Sequence, residues 1–285
     1  MLLGLAAALF AAVLYGVAAI LQATGSRQVA TSNGLDPRTA LALLRRPAYL
    51  GALSMTLLGF GFHLAAVRLV PLFLAQAGIA VSLVVTALLA VRLFGDRLSA
   101  LEWTAVAAVG AGLVLLSAAA GDVGTQRGTG WLSAGLFAVL ALMVVVGMLV
   151  GRRTGAVVTA ILGLTGGMGY AVVGVASRLL PDDLAPADLL TSSTTYALAA
   201  GGTLAFFMYS LALQRGSAVA ATTPLIVTQT IVPAAVGVIA LGDQVRPGWW
   251  PAAMIGFVVT AGAAVVLVRF EGVRARDVAE DLVSR

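Results

Sequence analysis

The sequence predicts an all-α, polytopic membrane protein. Nine transmembrane helices are expected in a four, one and four arrangement, with the last four inverted relative to the first. Three observations carry that expectation. The chain is 60% hydrophobic and only 10% charged. It contains nine apolar stretches long enough to cross a bilayer, and an internal repeat displaced by an odd number of them. A soluble domain carries about 25% charged residues, so 285 residues of mean hydropathy +1.03 cannot cover a water-facing surface. The composition also excludes a disordered chain and a nucleic-acid module, in spite of a net charge of +5. There is no cysteine, hence no disulfide framework, thiol nucleophile or thiolate metal site. Every basic residue is arginine, which removes lysine-based chemistry.

A crossing helix needs about 20 mainly apolar residues. The stretches 2–23, 48–69, 71–94, 101–120, 131–150, 156–178, 194–214, 218–241 and 248–268 qualify. The longest connection, 24–47, holds Arg27, Asp36, Arg38, Arg45 and Arg46 and cannot lie in hydrocarbon at ordinary cost. Its part 38–46 is expected to form a short interfacial helix. The first stretch lacks a basic leader and is longer than a signal-peptide core, so it reads as a retained helix. Cytoplasmic loops carry the arginine excess in membrane proteins. With the N-terminus outside, Arg68, Arg127, Arg178 and Arg246 fall outside and the other thirteen arginines inside. This places the protein in the plasma membrane with a cytoplasmic C-terminus. The tail 269–285 reads as a solvated helix end, with Arg274 and Arg276 available to lipid headgroups.

A shift of 147 residues lays 65–105 on 212–252 without a gap. Arg68 then matches Arg215, Gly95-Asp96 matches Gly242-Asp243, and Trp103 matches Trp250. Tyr15 and Tyr170 hold similar places in the first and sixth stretches. The second to fourth stretches map onto the seventh to ninth, a displacement of five, so the copies run in opposite senses through the membrane. The chain divides into a first repeat 1–120, a linker helix within 121–154, a second repeat 155–269 and a tail 270–285. Inverted repeats are a recurrent device of secondary transporters, because the halves can exchange conformations around a central site.

Pro71-Leu-Phe-Leu-Ala-Gln-Ala-Gly-Ile, then Phe94-Gly95-Asp96-Arg97-Leu98 and the glycine-bearing helix through Gly110 and Gly112, resemble an EamA-type unit of the drug/metabolite transporter superfamily. The second copy runs from Thr223-Pro224 to Gly242-Asp243. The nine-stretch layout, Gly51-Ala-Leu-Ser-Met55, Gly151-Arg152-Arg153-Thr-Gly155 and Gly163-Leu-Thr-Gly-Gly167 are similar to the NIPA branch, associated with magnesium transport. The resemblance implies alternating access and a small solute or divalent cation as cargo, nominally Mg²⁺. That branch carries a carboxylate in its second helix; here the matching stretch, Thr56 to His63, has no acid.

All twelve acids lie at the ends of stretches or between them. Mg²⁺ is usually held through one or two carboxylates, and proton-coupled exchange usually needs a buried acid. The reading therefore leans to an uncharged or amphipathic solute, with a lipid translocase and a magnesium transporter as alternatives. A non-transporting membrane scaffold is the rival from another class. No enzyme activity, cofactor or nucleic-acid partner is expected; the partners are membrane lipids, the solute, and a second copy of the chain as a candidate homodimer.

The candidate substrate-binding residues are Gln22, His63, Gln76, Ser82, Thr86, Tyr170, Tyr209, Thr228 and Gln229. His63 is the single histidine, read either as a relay or substrate contact or as a neutral ring bonded to a neighbouring helix. Gln76 matches Thr223, Ser82 matches Gln229 and Thr86 matches Pro233 across the repeat. Such groups serve either as helix–helix contacts or as the wall of a polar cavity. The first, second, third, sixth, seventh and eighth stretches should line that cavity. Pro233 should free a carbonyl and kink its helix, whereas Pro71 and Pro224 should only start helices. Gly163 and Gly167 suit close packing. Arg68 and Arg215 are expected to snorkel to headgroups. Asp96 and Asp243 are expected to organise helix ends with Arg97 and Arg246. Trp131, Trp249 and Trp250 read as interfacial anchors.

Overall fold

The structure is a computed structural model and describes residues 2–26, 47–94, 99–125, 130–150, 153, 155–181, 183–215 and 218–283. The expected interfacial helix 38–46 and the motif Gly95-Asp96-Arg97 lie outside them. The described chain is all-helical, with one isolated β-bridge between Ala120 and Val245. In order come α1 (Leu2–Ser26), α2 (Pro47–Leu69), α3 (Leu72–Ile79), α4 (Val81–Phe94), α5 (Ala100–Ala119) and α6 (Gly130–Val150). They are followed by α7 (Ala156–Leu179), α8 (Pro186–Thr191), α9 (Ser193–Arg215), α10 (Ala218–Ala240) and α11 (Trp250–Val283). The apolar stretches thus become helices because each is an unbroken apolar run bounded by charge, glycine or proline. Among the described residues, three helices are long and apolar enough to cross a membrane, in α2, α6 and α7. Much of their surface faces outward: on α6, Leu142, Met148 and Leu149 are all more than half exposed.

Two departures from the sequence expectation have local causes. The stretch 71–94 is split at Ala80, whose N–H turns back to the carbonyls of Ala77 and Gly78. Leu83 N–H then reaches Ala80 instead of Ile79, and the Ser82 hydroxyl donates to the Ile79 carbonyl at 2.6 Å. A side-chain hydroxyl thereby takes over an acceptor that the α-helical ladder leaves. Pro71 starts α3 as expected, but α10 begins at Ala218, so Pro224 and Pro233 both lie inside one continuous helix. Pro233 has no N–H, which leaves the Gln229 carbonyl without its donor four residues on.

Packing repeats across the two halves. α1 packs on α2 and α4, and α7 packs in the same manner on α9 and α10. The halves meet through α3 against α10 and α5 against α11. Close approach rests on missing side chains. A Cβ at Gly163 would run into the Ala221 carbonyl, and one at Gly167 would sit 2.5 Å from the Leu225 carbonyl. Gly16 gives α1 the same access to Val85 of α4. Near one end of the bundle, Gly4 abuts Leu69 and Val70. At that end Arg68 reaches Pro181, Thr194 reaches Leu179, and the N–H of Arg246 meets the Ala119 carbonyl. Consecutive helices therefore begin and finish alternately at this end.

Gly167→Leu should wedge α7 from α10. An overpacked core site costs about 1–3 kcal/mol, so the variant should unfold at a lower temperature than wild type in a detergent thermal melt. An unchanged midpoint would remove this contact from the account.

Candidate solute-binding cavity

α1, α2, α3, α7, α9 and α10 enclose a cavity of about 790 Å³. Each wall helix presents one face. On α2, Thr56, Phe60 and His63 follow at spacings of four and three, which stacks them along one side. On α7, Tyr170, Val173 and Gly174 do likewise. α1 contributes Tyr15, α3 contributes Gln76 and Ile79, and α10 contributes Gln229. Two glycines make room for the polar side chains. Gly59 lies under the Tyr15 ring, where a Cβ would come within 3.0 Å, and a Cβ at Gly174 would collide with the Gln76 amide.

Among the described residues the lining holds no carboxylate and no arginine. Among the described residues no three His, Cys, Asp or Glu side chains gather where a metal could be held. The site is built from amides, phenols, one imidazole and hydroxyls. Thr56 and Thr203 donate to carbonyls of their own helices, Ala52 at 2.9 Å and Ala199 at 2.8 Å, and so offer mainly acceptor lone pairs. His63 is 4% exposed, and its Nδ1 finds no hydrogen-bond partner. A buried polar atom left unpaired costs about 1–3 kcal/mol. The ring is thus not held through Nδ1 by a neighbouring helix.

Of the residues singled out from the sequence, His63, Gln76, Tyr170 and Gln229 share the cavity wall. Ser82 is engaged at the break between α3 and α4. Thr228 donates to the Pro224 carbonyl at 2.8 Å and packs over Gly167. Tyr209 packs against the apolar core beside Leu225 and has an interaction of its own. The side chains of Gln22 and Thr86 lie outside the described residues. Tyr15, Thr56, Phe60 and Phe206 also line the cavity and were not among the candidates. The match of Tyr15 with Tyr170 was the one signal that pointed to any of them.

Beyond the cavity, the bundle end is fastened by a buried ion pair. The Asp243 carboxylate is fully buried and the Arg178 guanidinium is 7% exposed, with 2.9 Å between them. Gly242, at φ 76°, is in the left-handed region that glycine enters without strain, and it turns the chain so that Asp243 points inward. Asp243 also accepts from the N–H of Gly124 at 2.9 Å and from that of Leu72, at the first turn of α3. There the positive end of the helix dipole favours a carboxylate. Arg178 further donates to the carbonyls of Val67, Val70 and Gly124. The partner of Asp243 is therefore Arg178, not Arg246, which is exposed. Arg68 likewise does not simply snorkel: it donates to the carbonyls of Leu180 and Pro181, at 3.3 and 2.6 Å. Arg178 and Asp243 are 65 residues apart in the chain, and nothing in sequence spacing announces these long-range partners.

Asp243→Ala leaves a buried guanidinium uncompensated, a change that typically costs about 3–5 kcal/mol. Replacing both partners, as Arg178→Met with Asp243→Leu, should recover much of that loss in the same thermal melt. Equal destabilisation by the single and double variants would mean that the pair does not act as a unit. No protein-family model, curated protein or solved structure matches this chain.

Proposed function

We propose that the protein is a multi-pass plasma-membrane transporter that carries a small uncharged solute by alternating access. The observation that carries this reading is the cavity wall. Tyr15 and Gln76 come from α1 and α3, Tyr170 and Gln229 from α7 and α10, so each half of the chain supplies a phenol and an amide to one shared space. The sequence repeat and the duplicated packing of α1 and α7 support an inverted relation between those halves. The resemblance to the drug/metabolite transporter superfamily supports the same class. A scaffold would have no need of matched phenols and amides from both halves around one largely apolar space.

The wall chemistry favours an uncharged cargo over Mg²⁺. Magnesium dehydrates reluctantly and is usually bound through carboxylates, and the lining offers none. On the arginine distribution, the end fastened by Arg178 and Asp243 is the outer one. The present conformation is then closed to the outside, and opening outward requires that network to part. Lining residues on α2 would be carried with it, because Arg178 and Arg68 tie α7 to the end of α2.

A chain without cysteine permits a direct test. Gln229→Cys in proteoliposomes should react with a membrane-impermeant maleimide from the cytoplasmic face. Adding Asp243→Asn, which loosens the outer closure, should raise labelling from the outer face severalfold. Labelling from one face alone in both backgrounds would refute alternating access and favour the scaffold.

A further inference from the structure

The cavity does not stop at the centre of the bundle. Its wall runs from Leu53 to His63 on α2 and from Leu198 to Phe206 on α9. At 1.5 Å per residue these stretches are about 15 and 12 Å tall, and both lie in the middle of helices of 23 residues. Several of the same side chains also face outward: Leu57 is 63% exposed, and Leu53 and Phe206 are each 42% exposed. A side chain belongs to a central cavity and to the outer surface at once only where neighbouring wall helices leave a gap. α2 and α9 do so. α2 is held by α1 and by a lighter contact with α7, α9 by α6, α7 and α10, and the two scarcely touch. Among the described residues the cavity therefore opens sideways, through a slot between α2 and α9 at mid-height.

We propose that the ligand enters this slot from the bilayer, and that it is an uncharged amphipath: an acyl chain bearing a hydroxyl or amide head. This rests on the transporter reading and names its substrate class. The slot is chemically graded. Its rim is apolar, formed by Leu53, Leu57 and Phe206, and suits a chain. Its buried part carries the Gln76 and Gln229 amides and the His63 ring, which suit a head that both donates and accepts hydrogen bonds. Among the described residues, an anionic head would find no cation on the wall, and a cationic head no carboxylate. Arg68 and Arg178 are committed to the outer closure. A wholly polar solute would gain nothing from the rim. A volume of about 790 Å³ is within the range of pockets that enclose ligands of this size.

The probe is tritiated 1-decanoylglycerol, tested on the full chain in nanodiscs, with tritiated glycerol and decanoyl lysophosphatidic acid as comparators. The variant Leu57→Cys with Thr203→Cys allows a cleavable bis-maleimide to bridge the slot, since both side chains line it and are exposed. Saturable binding of decanoylglycerol should be lost on cross-linking and return on cleavage. Glycerol and the anionic analogue should not compete. His63→Leu should weaken binding by between about twofold and tenfold, the span expected for one net hydrogen bond. Binding that survives the cross-link overturns lateral entry, and equal binding of the anionic analogue overturns the uncharged head. Absence of decanoylglycerol binding while Gln229→Cys still labels from both faces overturns this inference and leaves the transporter reading standing. Absence of both overturns the two together.

Discussion

The buried pair of Arg178 and Asp243 is the contact on which one end of the bundle depends. Charges removed from water are costly unless each remaining donor and acceptor is met, and here they are met from four segments. The carboxylate joins the start of α3 to the connection after α5. The guanidinium joins the end of α7 to the end of α2. No apolar residue could gather those strands of chain, because apolar contacts do not satisfy the free N–H and C=O groups at helix ends. Asp243 is thus a cap for a helix that is distant in sequence, and Gly242 is what lets the chain turn to deliver it.

The cavity exists because the remaining wall is built by approach at some faces and withheld contact at others. Glycines bring α1 to α4 and α7 to α10 within backbone distance, and they let Tyr15 and Gln76 lie flat against neighbouring helices. Among the described residues, α2 and α9 lack such an arrangement and scarcely touch. The same residue type therefore closes the bundle and shapes its hollow. The polar groups that line it carry no fixed charge, so the void can be surrounded by hydrocarbon without a large Born cost.

Most helix limits were legible from the sequence. An apolar run ended by arginine, glycine or proline leaves the backbone few other ways to satisfy its hydrogen bonds away from water. The ends of α2, α5, α6 and α7 fall within one or two residues of the expected limits. The break at Ala80 was not legible, because it depends on a local exchange of acceptors between Leu83 and Ser82, and Gly78 beside it also suits an unbroken packed helix. The candidate site was legible in part. His63, Gln76, Tyr170 and Gln229 stand out as polar side chains in apolar runs, and position in the repeat favoured the helices that carry them. Thr228 stands out equally but spends its hydroxyl on its own helix, a choice set by rotamer and neighbouring Gly167. The partner of Asp243 was hidden because it lies in the other direction along the chain from its neighbour Arg246, and only tertiary packing selects it.

The odd helix α6 has a mechanical consequence. It packs against α7 and α9 and makes no comparable contact with the first-half helices among the described residues. One half of the bundle therefore carries a splint that the other lacks. Under the proposed alternating access, the splinted half would serve as the frame and the half containing α1 to α5 as the arm that swings against it. A symmetric origin need not yield a symmetric stroke.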